Sequence, residues 1–201
     1  MIEFRDIQQR TDEWFNYKLT RFSATSIDSL NAKETTADFM DEINRVYFGI
    51  KTGKRPMELD LQPMGFWVKW GNEHEHEGIE YLQNKYFTLI KNGGIFLYDD
   101  WFCVSPDGVF DSETLVEVKS VKYSTLIKYH EKGILPDAYY WQVHAQLLGS
   151  GFKKCIFIAH HPQCDENFPP FEITVNRDET ICKEIFDKII YAKSLVLKKL
   201  S

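Results

Sequence analysis

Alternation of apolar and polar positions is clearest in the middle of the chain, where Leu115-Val116-Glu117-Val118-Lys119-Ser120-Val121 reads as a strand. Successive strand side chains face opposite ways, so Glu117 and Lys119 share one face and Val116 and Val118 the other. Upstream, apolar Trp101 to Ser105 runs into Ser105-Pro106-Asp107-Gly108, and Asp111-Ser112-Glu113 is a polar turn, so the two runs predict a hairpin. Around it the period lengthens to that of helices. Thr11 is placed to cap a helix that opens across Ile7 to Phe15, with acids in its first turn, and reaches about Thr20. A second helix starts at Ser23-Ala24-Thr25-Ser26, and an amphipathic helix covers 38–50, ending near Gly49 or Gly53. Thr52 to Pro63 is a polar loop carrying the basic run Lys51 to Arg55. Trp67 to Gly78 enters a helix that reaches about Phe87.

Gly93-Gly94 turns the chain into a strand over Ile95 to Tyr98, and Asp99-Asp100 turns it again. Beyond the hairpin come a polar helix over about Ser124 to Glu131, then a helix from Asp137 to Leu148 with Asp137 placed to cap it. A strand Cys155 to His160, a Pro-rich loop over 162–170, an edge strand Phe171 to Val175 and a helix Asp178 to Leu200 follow. Strands mixed with helices in this order predict an α/β fold.

Composition narrows the class without naming an activity. The 201 residues, 43% apolar and 27% charged, suit one α/β domain over 1–201 with an N-terminal helical extension. The four cysteines, at 103, 155, 164 and 182, lack C-x-x-C spacing, which argues against a zinc ribbon or a disulfide framework. Met1 to Trp14 has no apolar run and no segment approaches a membrane span, so a cytoplasmic protein with reduced thiols is expected. The net charge of −6 neither announces nor excludes a nucleic-acid partner.

The candidate chemistry gathers at the hairpin. Glu117 and Lys119 have a bland reading as an ion pair on an exposed edge strand. They also have a sharper one: with Asp107 at the end of the partner strand, two carboxylates can share a hard cation beside a lysine, the parts needed to split a phosphodiester. Glu75 is the acid on the inward stripe of its helix, next to Gly71 and Gly78, whereas Glu73, Glu77 and Glu80 lie on a solvated face. His74 and His76 diverge on that helix and lack zinc spacing; His160-His161 ends a buried-looking strand and reads as loop structure rather than a ligand pair. Gln142 and Gln146 sit one turn apart, either facing solvent or bonding something inside. Lys18 and Arg21 flank the helix start at Ser23 to Ser26. That start is either a plain cap or an anion site able to take a terminal DNA phosphate.

Gln9-Arg10-Thr11-Asp12-Glu13-Trp14, Phe22-Ser23-Ala24-Thr25-Ser26, Trp70-Gly71-Asn72-Glu73-His74-Glu75, Ser105-Pro106-Asp107-Gly108, Glu117-Val118-Lys119 and Trp141-Gln142-Val143 occur in this order. Together they resemble the lambda-exonuclease-like (YqaJ-type viral recombinase) group of the PD-(D/E)XK nucleases. The resemblance implies a restriction-endonuclease-like core, a central mixed β-sheet flanked by helices. It implies that Asp107 and Glu117 bind Mg²⁺ (Mn²⁺ as substitute), with Glu75 and the Val118 carbonyl. Lys119 would orient and activate water, and Gln142 would complete the active-site core. Thr25 matches the family's terminal-phosphate contact. Lys18 stands where the family has an arginine, and it loses the bidentate fork; Arg21 is the other candidate cation. The implied activity is 5′-to-3′ digestion of one strand of linear double-stranded DNA from its end. It would leave a 3′ overhang for a single-strand annealing protein, by a homo-oligomer of ring-trimer form. A structure-specific or restriction-like endonuclease and a non-catalytic DNA-end-binding module are the alternatives.

Overall fold

The computed structural model describes residues 2–57 and 65–201; the end of the expected 52–63 loop lies outside the described residues. Strand β1 (Glu3–Arg5) precedes helix α1 (Asp12–Lys18), whose N-cap Thr11 accepts from the Trp14 amide at 3.3 Å. Strand β2 (Phe22–Ser23) and helices α2 (Ser26–Asn31), α3 (Ala37–Thr52) and α4 (Phe66–Tyr86) follow. Then come β3 (Lys91–Asn92), β4 (Ile95–Leu97), β5 (Phe102–Val104), β6 (Gly108–Val109) and β7 (Thr114–Ser120). Helices α5 (Tyr123–Lys132) and α6 (Asp137–Ser150), strands β8 (Lys154–His160) and β9 (Phe171–Asn176) and helix α7 (Glu179–Leu200) complete the order.

The expected central sheet is two mixed sheets, ordered β1-β4-β5-β2 and β3-β6-β7-β8-β9. The break falls at Ser105-Pro106, between β5 and β6, where proline has no amide to offer a ladder. In the larger sheet β6 and β7 form the predicted hairpin, Gly108 opposite Val116, while β7 and β8 run parallel with Glu117 opposite Phe157. Parallel neighbours need a long crossover, and α5 and α6 supply it. Strand β9 is the edge, as expected.

Side-chain alternation on β7 and β8 sends two apolar sets to opposite faces. Val116, Val118, Ile156 and Ile158 pack with Leu82 of α4. Leu115, Cys155, Phe157 and Ala159 join the larger core under α6 and α7. Glu117 and Lys119 point to this second face, where α6 is buried from Gln142 to Ser150. Asp137 does not cap α6: Pro136 occupies that position, and Asp137 serves only as an acid in the first turn. The hydroxyls at the start of α2 do not cap it either. Ser23 Oγ contacts Thr25 Oγ1 at 3.0 Å and Ser26 Oγ at 3.1 Å, and the Ser23 amide donates to Ser26 Oγ. His160 is the buried last residue of β8, where the expected strand ends, and is bonded through Nε2 to Ser120 Oγ at 2.8 Å. Among the described residues, no helix is long and apolar enough to cross a membrane.

Candidate active site

A cavity of about 680 Å³ opens where β7, α4 and α6 meet the segment before β6. Asp107, Glu117, Val118, Lys119, Glu75, Gln142, Lys18 and Thr25 all line it, although they come from six separate stretches of the chain. Arg21 does not.

Glu117 is the best-held of these groups. It is 1% exposed, and a carboxylate so buried must be paired. Its Oε1 accepts from Lys119 Nζ at 2.5 Å and from Gln142 Nε2; its Oε2 accepts from Gln146 Nε2 at 3.2 Å. Both glutamines therefore point inward, and the question of their partners is answered by one carboxylate. Helical spacing of four residues brings them to the same face of α6.

Asp107 is set by the backbone. Its own amide donates to the Val116 carbonyl at 3.0 Å, and the Val118 amide donates to its Oδ2 at 2.7 Å. Strand β6 pairs β7 only as far as Gly108 opposite Val116, so the edge of β7 at Val118 faces the cavity. A residue in a strand aims its amide and carbonyl to the same side, which turns the Val118 carbonyl toward Asp107 as well. Glu75 arrives from α4. Gly78 permits the approach: a Cβ there would lie 2.6 Å from Val118 Cγ1, so only glycine lets the helix sit this close to β7. Gly71, by contrast, faces open space.

Charge is uneven among the three acids. Arg10 Nη2 donates to Glu75 Oε2 at 2.6 Å, and Lys119 covers Glu117. Asp107 has an amide but, among the described residues, no cation paired with it. Burial, and then the neighbouring Glu117 and Glu75 carboxylates, push its pKa well above the ordinary carboxylate value. For Lys119, burial opposes the charge, yet Glu117 and Asp107 outweigh it and hold its pKa above the ordinary lysine value. It is an ammonium in this arrangement, 5.3 Å from the Tyr139 ring centroid. Hard oxygen donors that repel one another at Asp107 suit a hard divalent cation. Among the described residues no three His, Cys, Asp or Glu side chains form a metal cage. Mg²⁺ does not need one, because it binds through one or two carboxylates and keeps several waters.

The stretch carrying Asp107 is locked from behind by motif residues to which pattern reading gave no role. Trp14 Nε1 donates to Ser105 Oγ at 2.8 Å, Ser105 Oγ donates to the Gly94 carbonyl at 2.6 Å, and Gln9 Nε2 donates to the Pro106 carbonyl at 2.9 Å. Gly93 packs so tightly that a Cβ would fall 1.7 Å from the Pro106 oxygen. Arg10 reaches Glu75 from a left-handed backbone, φ 65°. Its position in the Gln9 to Trp14 motif was the available signal; its pairing across 65 residues was not.

A second cavity, of about 270 Å³, adjoins the first through shared Trp14, Lys18, Ser23 and Thr25 and adds Arg45 and Arg55. Lys18 Nζ sits 4.0 Å from the centroid of Trp14, and burial lowers its pKa from the ordinary lysine value. Arg45 is occupied as a wall: it pairs with Glu42 and donates to the Lys18 and Arg21 carbonyls. Arg21 is turned away, donating to the Asp99 carbonyl and the Tyr17 carbonyl at 3.0 Å each. The two cations flanking the helix start thus part company. His74 pairs with Glu77 and stacks on Trp70, and His76 is exposed, so neither joins the site.

Solved structures share this architecture. An alkaline exonuclease (LHK-Exo) from Laribacter hongkongensis matches with TM-score 0.82 at 19% identity, over 94% of each chain. Its complex with dAMP matches with TM-score 0.83 at 18% identity, again over 94% of each. A phage related exonuclease from Haemophilus somnus 129PT matches with TM-score 0.63 at 10% identity, over 92% of this chain and 99% of that one. No curated protein matches the chain. The YqaJ-like viral recombinase domain matches residues 13–153, a span that begins in α1 and ends just before β8, taking in both cavities' principal residues, and the chain belongs to that family.

Proposed function

We propose that this chain is a metal-dependent DNA exonuclease that digests the 5′-ended strand of linear duplex from its end and leaves a 3′ overhang. The observation that carries the reading is Glu117, buried and clamped by Lys119, Gln142 and Gln146 beside Asp107 in one cavity. A stabilising role alone would be served better by apolar packing than by a buried ion pair. The family and the shared fold with alkaline exonucleases support a DNA nuclease.

In this reading Asp107, Glu117 and the Val118 carbonyl hold Mg²⁺, with Glu75 beside them and Mn²⁺ as a substitute. The cation, when bound, polarises the scissile phosphate and lowers the pKa of its water. Lys119 pairs with Glu117 and offers a cation to the attacking water or to the charge that develops on phosphate. Gln142 holds Glu117 in position. Lys18 and Thr25, in the adjoining cavity, take the 5′ phosphate, and Arg45 shapes its wall. The proposed client is a single-strand annealing protein, in keeping with the family's description as a viral recombinase, and the proposed working form is the ring-shaped homo-oligomer that the sequence resemblance implies.

The test is digestion of linear duplex with Mg²⁺, comparing 5′-phosphorylated with 5′-hydroxyl ends and linear with closed circular DNA, with Lys119→Ala as control. Progressive loss of the 5′-phosphorylated strand, circles spared and the variant inactive, is expected. Cutting of circles moves the assignment to an endonuclease, and absence of any metal-dependent cleavage leaves a DNA-end-binding module.

A further inference from the structure

Gln146 is 2% exposed and lines the main cavity, yet its bonding differs from that of Gln142. Its amide nitrogen donates twice, to Glu117 Oε2 and to the Ser105 main-chain carbonyl, each at 3.2 Å. Two acceptors around one end of the amide fix its orientation, because a flipped amide would set oxygen against oxygen on both sides. Its Oε1 is left buried without a partner among the described residues. A buried orphan acceptor is costly, so the orientation is held by what the nitrogen does.

What it does follows from counting lone pairs. A carboxylate has about four acceptor sites, two on each oxygen. On Glu117, Oε1 already accepts from Lys119 and Gln142, and Oε2 accepts from Gln146, so a single site on Oε2 is open. The second hydrogen on Gln146 Nε2 is donated to the Ser105 main-chain carbonyl, two residues before Asp107, so one amide nitrogen spans Glu117 and the stretch that carries Asp107. We infer that Gln146 is a positioning residue that leaves Glu117 one open lone pair, at a fixed spacing from Asp107, and thereby selects a small octahedral cation over a larger one. Mg²⁺ demands such single-oxygen, fixed-angle ligands, whereas Ca²⁺ accepts bidentate carboxylates and irregular geometry. Groups that orient a metal ligand from behind typically control metal affinity by about 10- to 100-fold.

This inference rests on the nuclease reading, and its test separates the two. Mg²⁺ and Ca²⁺ are titrated calorimetrically, without DNA, into the full-length wild type and into Gln146→Met, which keeps the volume and removes both donors. The expected result is a fall in Mg²⁺ affinity of about tenfold or more with a smaller fall for Ca²⁺. In digestion assays the half-saturating Mg²⁺ rises by a similar factor. Gln146→Leu repeats the measurement if the methionine variant does not fold. Unchanged Mg²⁺ binding in a folded variant, or equal losses for both cations, overturns the inference, as does failure of both variants to fold. A wild type that neither binds Mg²⁺ nor cleaves DNA overturns the nuclease reading itself.

Discussion

At the acidic end of the cavity every group is carried by regular structure or by the turn leading into it. Glu117 and Lys119 alternate on β7, Gln142 and Gln146 repeat on α6, and the Val118 amide of the same strand pins Asp107. At the basic end the groups come from α1, from the six-residue α2 and its approach, and from α3, held together by main-chain carbonyls that accept from Arg45 and Arg21. At the first end the side chains of Glu117, Lys119, Gln142 and Gln146 bond one another. The second keeps Lys18 against Trp14, without an acid beside it in the same cavity wall other than Glu42, which Arg45 engages. The difference matches the tasks proposed for them. Ligands of a cation must be held to fractions of an ångström, whereas a terminal phosphate needs charge and room.

Substitutions can break this contrast or sharpen it. The largest effect is expected at the acidic end: Lys119→Ala should lower kcat on linear duplex about 10³-fold on either kind of 5′ end, measured under saturating Mg²⁺. At the basic end, Lys18→Ala should slow digestion of 5′-phosphorylated ends by about 10- to 100-fold, the worth of one charge-assisted hydrogen bond, and leave 5′-hydroxyl ends unchanged. If Lys18→Ala slows both equally, the two ends of the cavity do not divide the work. Gly78→Ala addresses the acidic end from outside, by pushing α4 off Val118; overpacking of this kind costs about 1–3 kcal/mol in a urea unfolding curve. The smallest effect is reserved for Arg21→Ala, with about 1 kcal/mol of stability lost with its carbonyl contacts and the preference for phosphorylated ends intact. A lost preference there would return Arg21 to the phosphate.

The acidic end was also the more legible in sequence, for a physical reason. Asp107, Glu117 and Lys119 lie within one hairpin, where strand alternation and a Pro-Asp-Gly turn dictate relative position. Glu75 followed from helical period, and the proximity it needs came from Gly78. Readings that depended on contacts distant in sequence were not available. Nothing local shows that β1 pairs with β4, or that the two-residue β2 runs parallel to β5 and splits the strands into two sheets. Local capping rules misplaced Asp137, because the preceding proline took the position, and misjudged α2, whose hydroxyls satisfy one another. The same limit hid Arg10 on Glu75 and sent Arg21, adjacent in sequence to the right pocket, to the carbonyls of Tyr17 and Asp99.

The parallel pairing of β7 with β8 bears on when the protein becomes competent during its own synthesis. Chains emerge from the ribosome at roughly 5–20 residues per second, and non-local contacts form after local ones. A nascent chain that has exposed the Asp107–Lys119 hairpin has neither α6 to hold Glu117 nor β8 to flank it. Its acid and lysine remain in water, where a carboxylate is free to rotate and binds cations weakly. The proposed cutting site therefore comes into being only as the last third of the polypeptide folds back on the hairpin, and a chain stopped before α6 lacks the groups that hold Glu117.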